Sequence, residues 1–153
     1  LVVDAANVIG SRPTGWWRDR AGAARRFTEQ VRGAVEAGTL DGPVTVVLEG
    51  AARPGVPESE TDGVRVVHAP GEGDDTIAVL AAEPASTVVT ADRELAARCR
   101  AVGASVVGPN WLPNVSIRRL AAKSTDTTSD AESSPQLRGG SCRRSDLNRH
   151  LGV

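Results

Sequence analysis

The chain has 153 residues, with 18 Lys and Arg against 19 Asp and Glu and a net charge of -1 at pH 7; that length holds one α/β domain with a real core and is short for two. The charge balance excludes a generally basic domain, and up to Ala121 the count is still 13 basic against 15 acidic residues, so any contact with a polyanion has to come from a local patch. Cys99 and Cys142 have neither metal-ligand spacing nor a disulfide framework, no apolar run approaches the roughly 18 residues of a membrane span, and no signal peptide is visible, which makes the cytoplasm the expected compartment.

The chain begins at Leu1 inside a predicted strand, without Met or a preceding turn, so its first residue is read as the edge of a fragment. Leu1 to Asp4 reads as that first strand, and a Gly-, Pro- and Trp-rich loop, Ser11 to Arg20, follows. Ala21 to Ala37 is predicted helical, because Ala23, Phe27, Val31 and Val35 recur every fourth residue with charges between them and Gly38 as the stop. Pro43 opens VTVVLEG, an almost continuous β-branched run of the kind a parallel strand covered on both faces requires. The segment AARPGVPESETDG reads as polar, proline-broken loop. Val64 to His68 is a third strand, Asp74 to Ala82 a helix, Ser86 to Thr90 a fourth strand, Asp92 to Val102 a helix, and Ser105 to Gly108 a fifth strand. This alternation predicts an open, three-layer α/β sheet of about five mostly parallel strands with helices on both faces over residues 1–121. Residues 122–153, rich in Ser, Thr, Asp, Gly and Arg without apolar periodicity, read as a disordered tail.

Asp4 is the first residue to explain, since a carboxylate closing an apolar strand is costly without a partner, a hydrogen bond or a metal. Ligands of open α/β sheets bind outside the carboxyl ends of the strands, where the strand order reverses. Asp4 closes the first strand and Glu49 the second, Asp74 and Asp75 follow the third, and Asp92 lies just past the fourth. If the first and fourth strands are neighbours, these acids converge. Carboxylates so gathered cannot all stay ionised in a dry site, and a divalent cation with hard oxygen ligands is the usual compensation. Such a site suits metal-assisted hydrolysis of a phosphodiester. Taken singly, Asp74, Asp75 and Asp92 could each serve only as helix caps or first-turn anions, and Asn7 only as an Asx turn.

Missing residues narrow the rivals. The single lysine is Lys123, in the tail, and no G-x-x-x-x-G-K-[ST] loop exists, which excludes a Walker-type NTPase. GEGDD is not a dinucleotide fingerprint, and Ala6 stands where an aspartyl-phosphate phosphatase would want its second Asp.

Asp4-Ala-Ala-Asn7, the strand VVLEG, GEGDDT, and Thr90-Ala-Asp92-Arg-Glu together resemble the NYN domains, especially their YacP-like branch, within the PIN-like metal-dependent ribonucleases. The resemblance covers Leu1 to Leu112. It implies a Rossmann-like fold in which Asp4, Asp75 and Asp92 ligate Mg²⁺ or Mn²⁺, Asn7 holds the neighbouring water or phosphate, and Asp74 lies beside the site as a further candidate ligand. Glu49 falls where the family often has an Asp. This chain departs from the pattern at Ala96, where members often carry a further acid one helical turn after Asp92; a second metal lacks that ligand, and only Glu94 is near. Many PIN-like proteins act as dimers, so a homodimer is an expectation of the resemblance.

Arg12, Trp16, Trp17, Arg18 and Arg20 lie in the loop flanking Asp4, Arg93 directly follows Asp92, and Arg25 and Arg26 lie on the helix beyond the loop. Guanidinium groups for phosphates and an indole for a base suit single-stranded RNA, although one Trp packing in the core would explain part of the set. Trp111 reads as core or edge packing. The expected activity is metal-dependent hydrolysis of RNA. The alternatives are an RNA-binding module of the same fold that has lost catalysis and a nucleotide hydrolase.

Overall fold

The computed structural model of the chain describes residues 1–112; the tail expected over 122–153 lies outside the described residues. Six strands form one sheet: β1 (Val2–Asp4), β2 (Val44–Leu48), β3 (Ser59–Thr61), β4 (Val64–His68), β5 (Thr87–Val89) and β6 (Ser105–Val107), in the order β3-β4-β2-β1-β5-β6. All neighbours run parallel except β3, which pairs antiparallel with β4. Among the described residues four α-helices cover the sheet: α1 (Ala5–Gly10), α2 (Arg20–Glu36), α3 (Gly73–Ala81) and α4 (Arg93–Ala101).

The alternation of side chains along each strand divides the core in two. Val3, Val46, Leu48, Val66 and Val89 pack with Val8, Phe27 and Val31 from α1 and α2. Val2, Val47 and Val88 pack with Ile77, Leu95 and Cys99 from α3 and α4. Both faces of the central strands are therefore buried, the condition that a near-continuous β-branched run satisfies. The expected three-layer, mostly parallel α/β fold is observed.

Two stretches differ from expectation. The stretch read as loop contains a 3-10 turn at Gly50–Gly55 and the sixth strand, β3. β3 escapes hydropathy because it is an edge strand of Ser-Glu-Thr with no buried residue. Its local signal is the two-residue link to β4: Asp62 and Gly63 both take positive φ, 53° and 76°, the conformation for which Asp-Gly is selected in tight hairpins. The 3-10 turn lies so close to α2 that a Cβ on Gly55 would come within 2.0 Å of the Ala21 carbonyl oxygen, so only glycine fits there.

The second difference is α1, a six-residue helix directly after β1, over residues to which the sequence pattern assigns no element. Val8 and Ile9 bury into the core from it, and Asp4 caps it. No helix among the described residues is long and apolar enough to cross a membrane.

Candidate active site

From β1 the chain builds β2 and β4 on one side and β5 and β6 on the other, so the order reverses between β1 and β5 and the crevice opens at their carboxyl ends. Val3 of β1 lies opposite Val46 on one side and Val89 on the other. Asp4 ends β1 and is only 4% exposed. Its Oδ1 accepts the backbone N–H of Asn7 at 3.0 Å, and its Oδ2 accepts the Asn7 amide at 2.8 Å and the Thr90 hydroxyl at 2.8 Å. Asp4-x-x-Asn7 is thus a capping pair at the start of α1, and three hydrogen bonds offset the burial of a charge.

Thr90 carries the link onward, since its Oγ1 also accepts the backbone N–H of Asp92 at 3.1 Å. Asp92 caps α4, taking the N–H groups of Glu94 and Leu95 on Oδ1, each at 2.8 Å. Its Oδ2 receives no hydrogen bond among the described residues. Thr90 was noted in the sequence only as part of a motif; its role as the bridge between two acids comes from tertiary structure.

Glu49 does a different job from a ligand. Its Oε2 accepts the N–H of Gly73, the first residue of α3, at 2.5 Å, and a Cβ on Gly73 would stand 3.0 Å from that oxygen. The end of β2 therefore anchors the helix that carries Asp74 and Asp75. Those two acids part company. Asp74 is half-buried, and its carboxyl is pushed above the usual aspartate range by burial, then by the charges of Asp92 and Asp4, with Arg98 opposing and Glu49 adding. Asp75 points outward: its side chain is 86% exposed, and Arg98 Nη2 donates to its Oδ1 at 2.6 Å. The helical period contains the reason, because Asp74 shares a face with buried Ile77 and Ala81, whereas Asp75 shares one with Val79, 74% exposed.

The acids whose charges reach Asp74 at the crevice are therefore Asp92 and Asp4, with Glu49 the weakest influence. Hard carboxylate oxygens from separate elements are the donor chemistry that Mg²⁺ or Mn²⁺ takes, and the mutual repulsion felt by Asp74 is what such a cation relieves. Among the described residues no three His, Cys, Asp or Glu side chains are already gathered closely enough to hold a metal ion. Ala96 is buried, so it adds nothing to the crevice, and Glu94 is exposed on the first turn of α4.

Beside the acids, Ala6, Asn7, Gly10, Ser11, Trp16 and Ala91 line an open groove of about 410 Å³. Trp16 is half-buried against the α1–α2 side of the core, while Trp17 is 57% exposed and meets it edge-on, ring centroids 6.5 Å apart. The Arg20 guanidinium lies 5.3 Å over the Trp16 ring. Arg12 is half-buried, Arg18 and Arg93 are exposed, and none of the three forms an ion pair among the described residues. Trp111, expected in the core or at an edge, is 52% exposed and lines a separate cavity with Leu1, Leu40 and Pro43, at the amino ends of β1 and β2.

Comparison of the chain with protein-family models, with curated proteins and with solved structures finds no match.

Proposed function

We propose that the domain is a metal-dependent ribonuclease of the NYN, PIN-like kind, hydrolysing phosphodiester bonds of single-stranded RNA in the cytoplasm. The observation that carries the reading is the state of Asp74: its carboxyl is raised by burial and by Asp92 and Asp4, so acids from three elements act on one another at the reversal point of the sheet. Asp4, Asp74 and Asp92 would hold Mg²⁺ or Mn²⁺, with Asp74 in the role that the resemblance gave to Asp75. Bound there, the ion supplies Lewis acidity at a phosphoryl oxygen and lowers the pKa of a water.

The chain's own residues do the rest. Thr90 and Asn7 hold Asp4 in one orientation through its two oxygens. Asp92, anchored through Oδ1, keeps Oδ2 for the crevice. Arg12, Arg18 and Arg93, free of ion pairs among the described residues, supply cations for backbone phosphates.

A second reading, an RNA-binding module without catalysis, draws on buried Ala96 and on the absence of a ready-made metal group among the described residues. Cleavage of end-labelled single-stranded RNA by the full chain separates the two. The nuclease reading expects cleavage with Mn²⁺ or Mg²⁺, none in EDTA, and none from Asp92→Asn. RNA binding that survives EDTA, with no cleavage under either ion, would establish the binding module instead.

A further inference from the structure

We propose that the groove lined by Ala6, Asn7, Gly10, Trp16 and Ala91 is a subsite for one nucleobase of the RNA strand; the inference rests on the ribonuclease reading and adds where the substrate's base goes. Its volume of about 410 Å³ is at the small end of ligand sites, room for a single flat ring system and its sugar. The wall is aromatic and the remaining lining is small. Trp16 is held from two directions, by Arg20 at 5.3 Å over its ring and by Trp17 at an interplanar angle of 83°. A platform fixed before the ligand arrives loses little freedom on binding.

Gly10 lies against the indole: a Cβ there would stand in ordinary contact with Trp16 Cζ2 at 3.4 Å. The groove is also continuous with the acids. Asn7 lines it while its side-chain amide donates to Asp4, and Ala91 lines it between Thr90 and Asp92. The Asn7 Oδ1 accepts no hydrogen bond among the described residues, which leaves a polar group for the edge of a base. A base seated here brings the phosphate of its own nucleotide to the carboxyl end of β1, and every base offers a face for stacking.

The test measures binding of a fluorescein-labelled ten-nucleotide single-stranded RNA, and of an abasic ribose-phosphate strand of equal length, by anisotropy in EDTA. Ala91→Leu, at an exposed position, and Ala6→Leu both fill the groove; Trp111→Phe, at the far cavity, is the control, and circular dichroism checks each fold. Expected is a loss on the order of tenfold for RNA in either filled variant, no change for the abasic strand, and wild-type affinity in the control. Filled variants that are folded and bind RNA like the wild type, or that lose both strands equally, overturn the subsite. If wild type cleaves with Mn²⁺ and the filled variants bind unchanged, the subsite alone is wrong. Base-dependent binding lost on filling, with no cleavage under any ion, keeps the subsite and removes the nuclease. No RNA binding by the wild type overturns the subsite, and no cleavage with either ion besides removes the nuclease.

Discussion

Thr90 gives its hydroxyl hydrogen to Asp4 Oδ2 at 2.8 Å, across 86 positions of sequence, while its own Oγ1 accepts the backbone N–H of Asp92 at 3.1 Å. Replacing it with the isosteric valine leaves Asp4 one bond short and orphans the Asp92 N–H. Thr90→Val should therefore cost about 1–3 kcal/mol, the usual penalty for unsatisfied buried groups, measured by urea denaturation. Cleavage should fall further than the folded fraction does. Thr90→Ser, which keeps the hydroxyl, should recover most of both; a serine variant as impaired as valine would make the methyl packing, not the bridge, responsible.

Asp74 and Asp75 are adjacent in sequence and opposite in role. Asp74→Asn should lower metal-dependent cleavage by about a hundredfold, the upper end of what disturbing a ligand's support costs. Asp75→Asn, which releases an exposed pairing with Arg98, should change cleavage no more than a few-fold. Equal losses in the two variants would return Asp75 to the site.

The raised carboxyl of Asp74 has a consequence for stability that runs opposite to the usual acid. Its folded pKa lies above the unfolded value, so the folded state holds the proton more tightly, and stability falls as pH rises from the ordinary aspartate range through the raised value. Below the unfolded pKa both states are protonated and the cost vanishes. In EDTA at pH 7, Asp74→Asn should raise Tm by on the order of 1–3 °C, and the gain should disappear below about pH 4. A melting temperature for the variant that is lower than wild type at neutral pH would show that Asp74 makes a favourable contact instead.

The parallel sheet was legible because its middle is covered twice: Val44 to Leu48 and Thr87 to Val89 are nearly unbroken β-branched runs, which little else than a buried strand accommodates. Where burial is one-sided or absent, composition says less. β3 has no buried residue, and its evidence was confined to the Asp62-Gly63 dipeptide. The short α1 was masked because its apolar residues continue the run of β1, and Asp4, read as an oddity ending a strand, is also the cap that starts the helix.

At the site, residue types at strand ends nominated Asp4 and Asp92 and the resemblance added Asn7; one hydrogen-bonded chain through Thr90 connects the three. Choosing between Asp74 and Asp75 needed the phase of α3 relative to the sheet. Ile77 and Ala81 held that phase in the sequence, three and seven residues on from Asp74. The ion pair of Asp75 with Arg98 crosses 23 positions between two helices, and the use of Glu49 on Gly73 crosses 24; neither partner is implied by local pattern.

β1 lies between β2 and β5, with Val3 paired to Val46 and Val89, so strands from both halves of the domain enclose it. Asp4 precedes its hydroxyl partner Thr90 by 86 positions, so that bond forms only once β5 is in the chain. A nascent chain stopped short of β5 therefore carries an incomplete crevice and cannot perform whatever chemistry the assembled acids support.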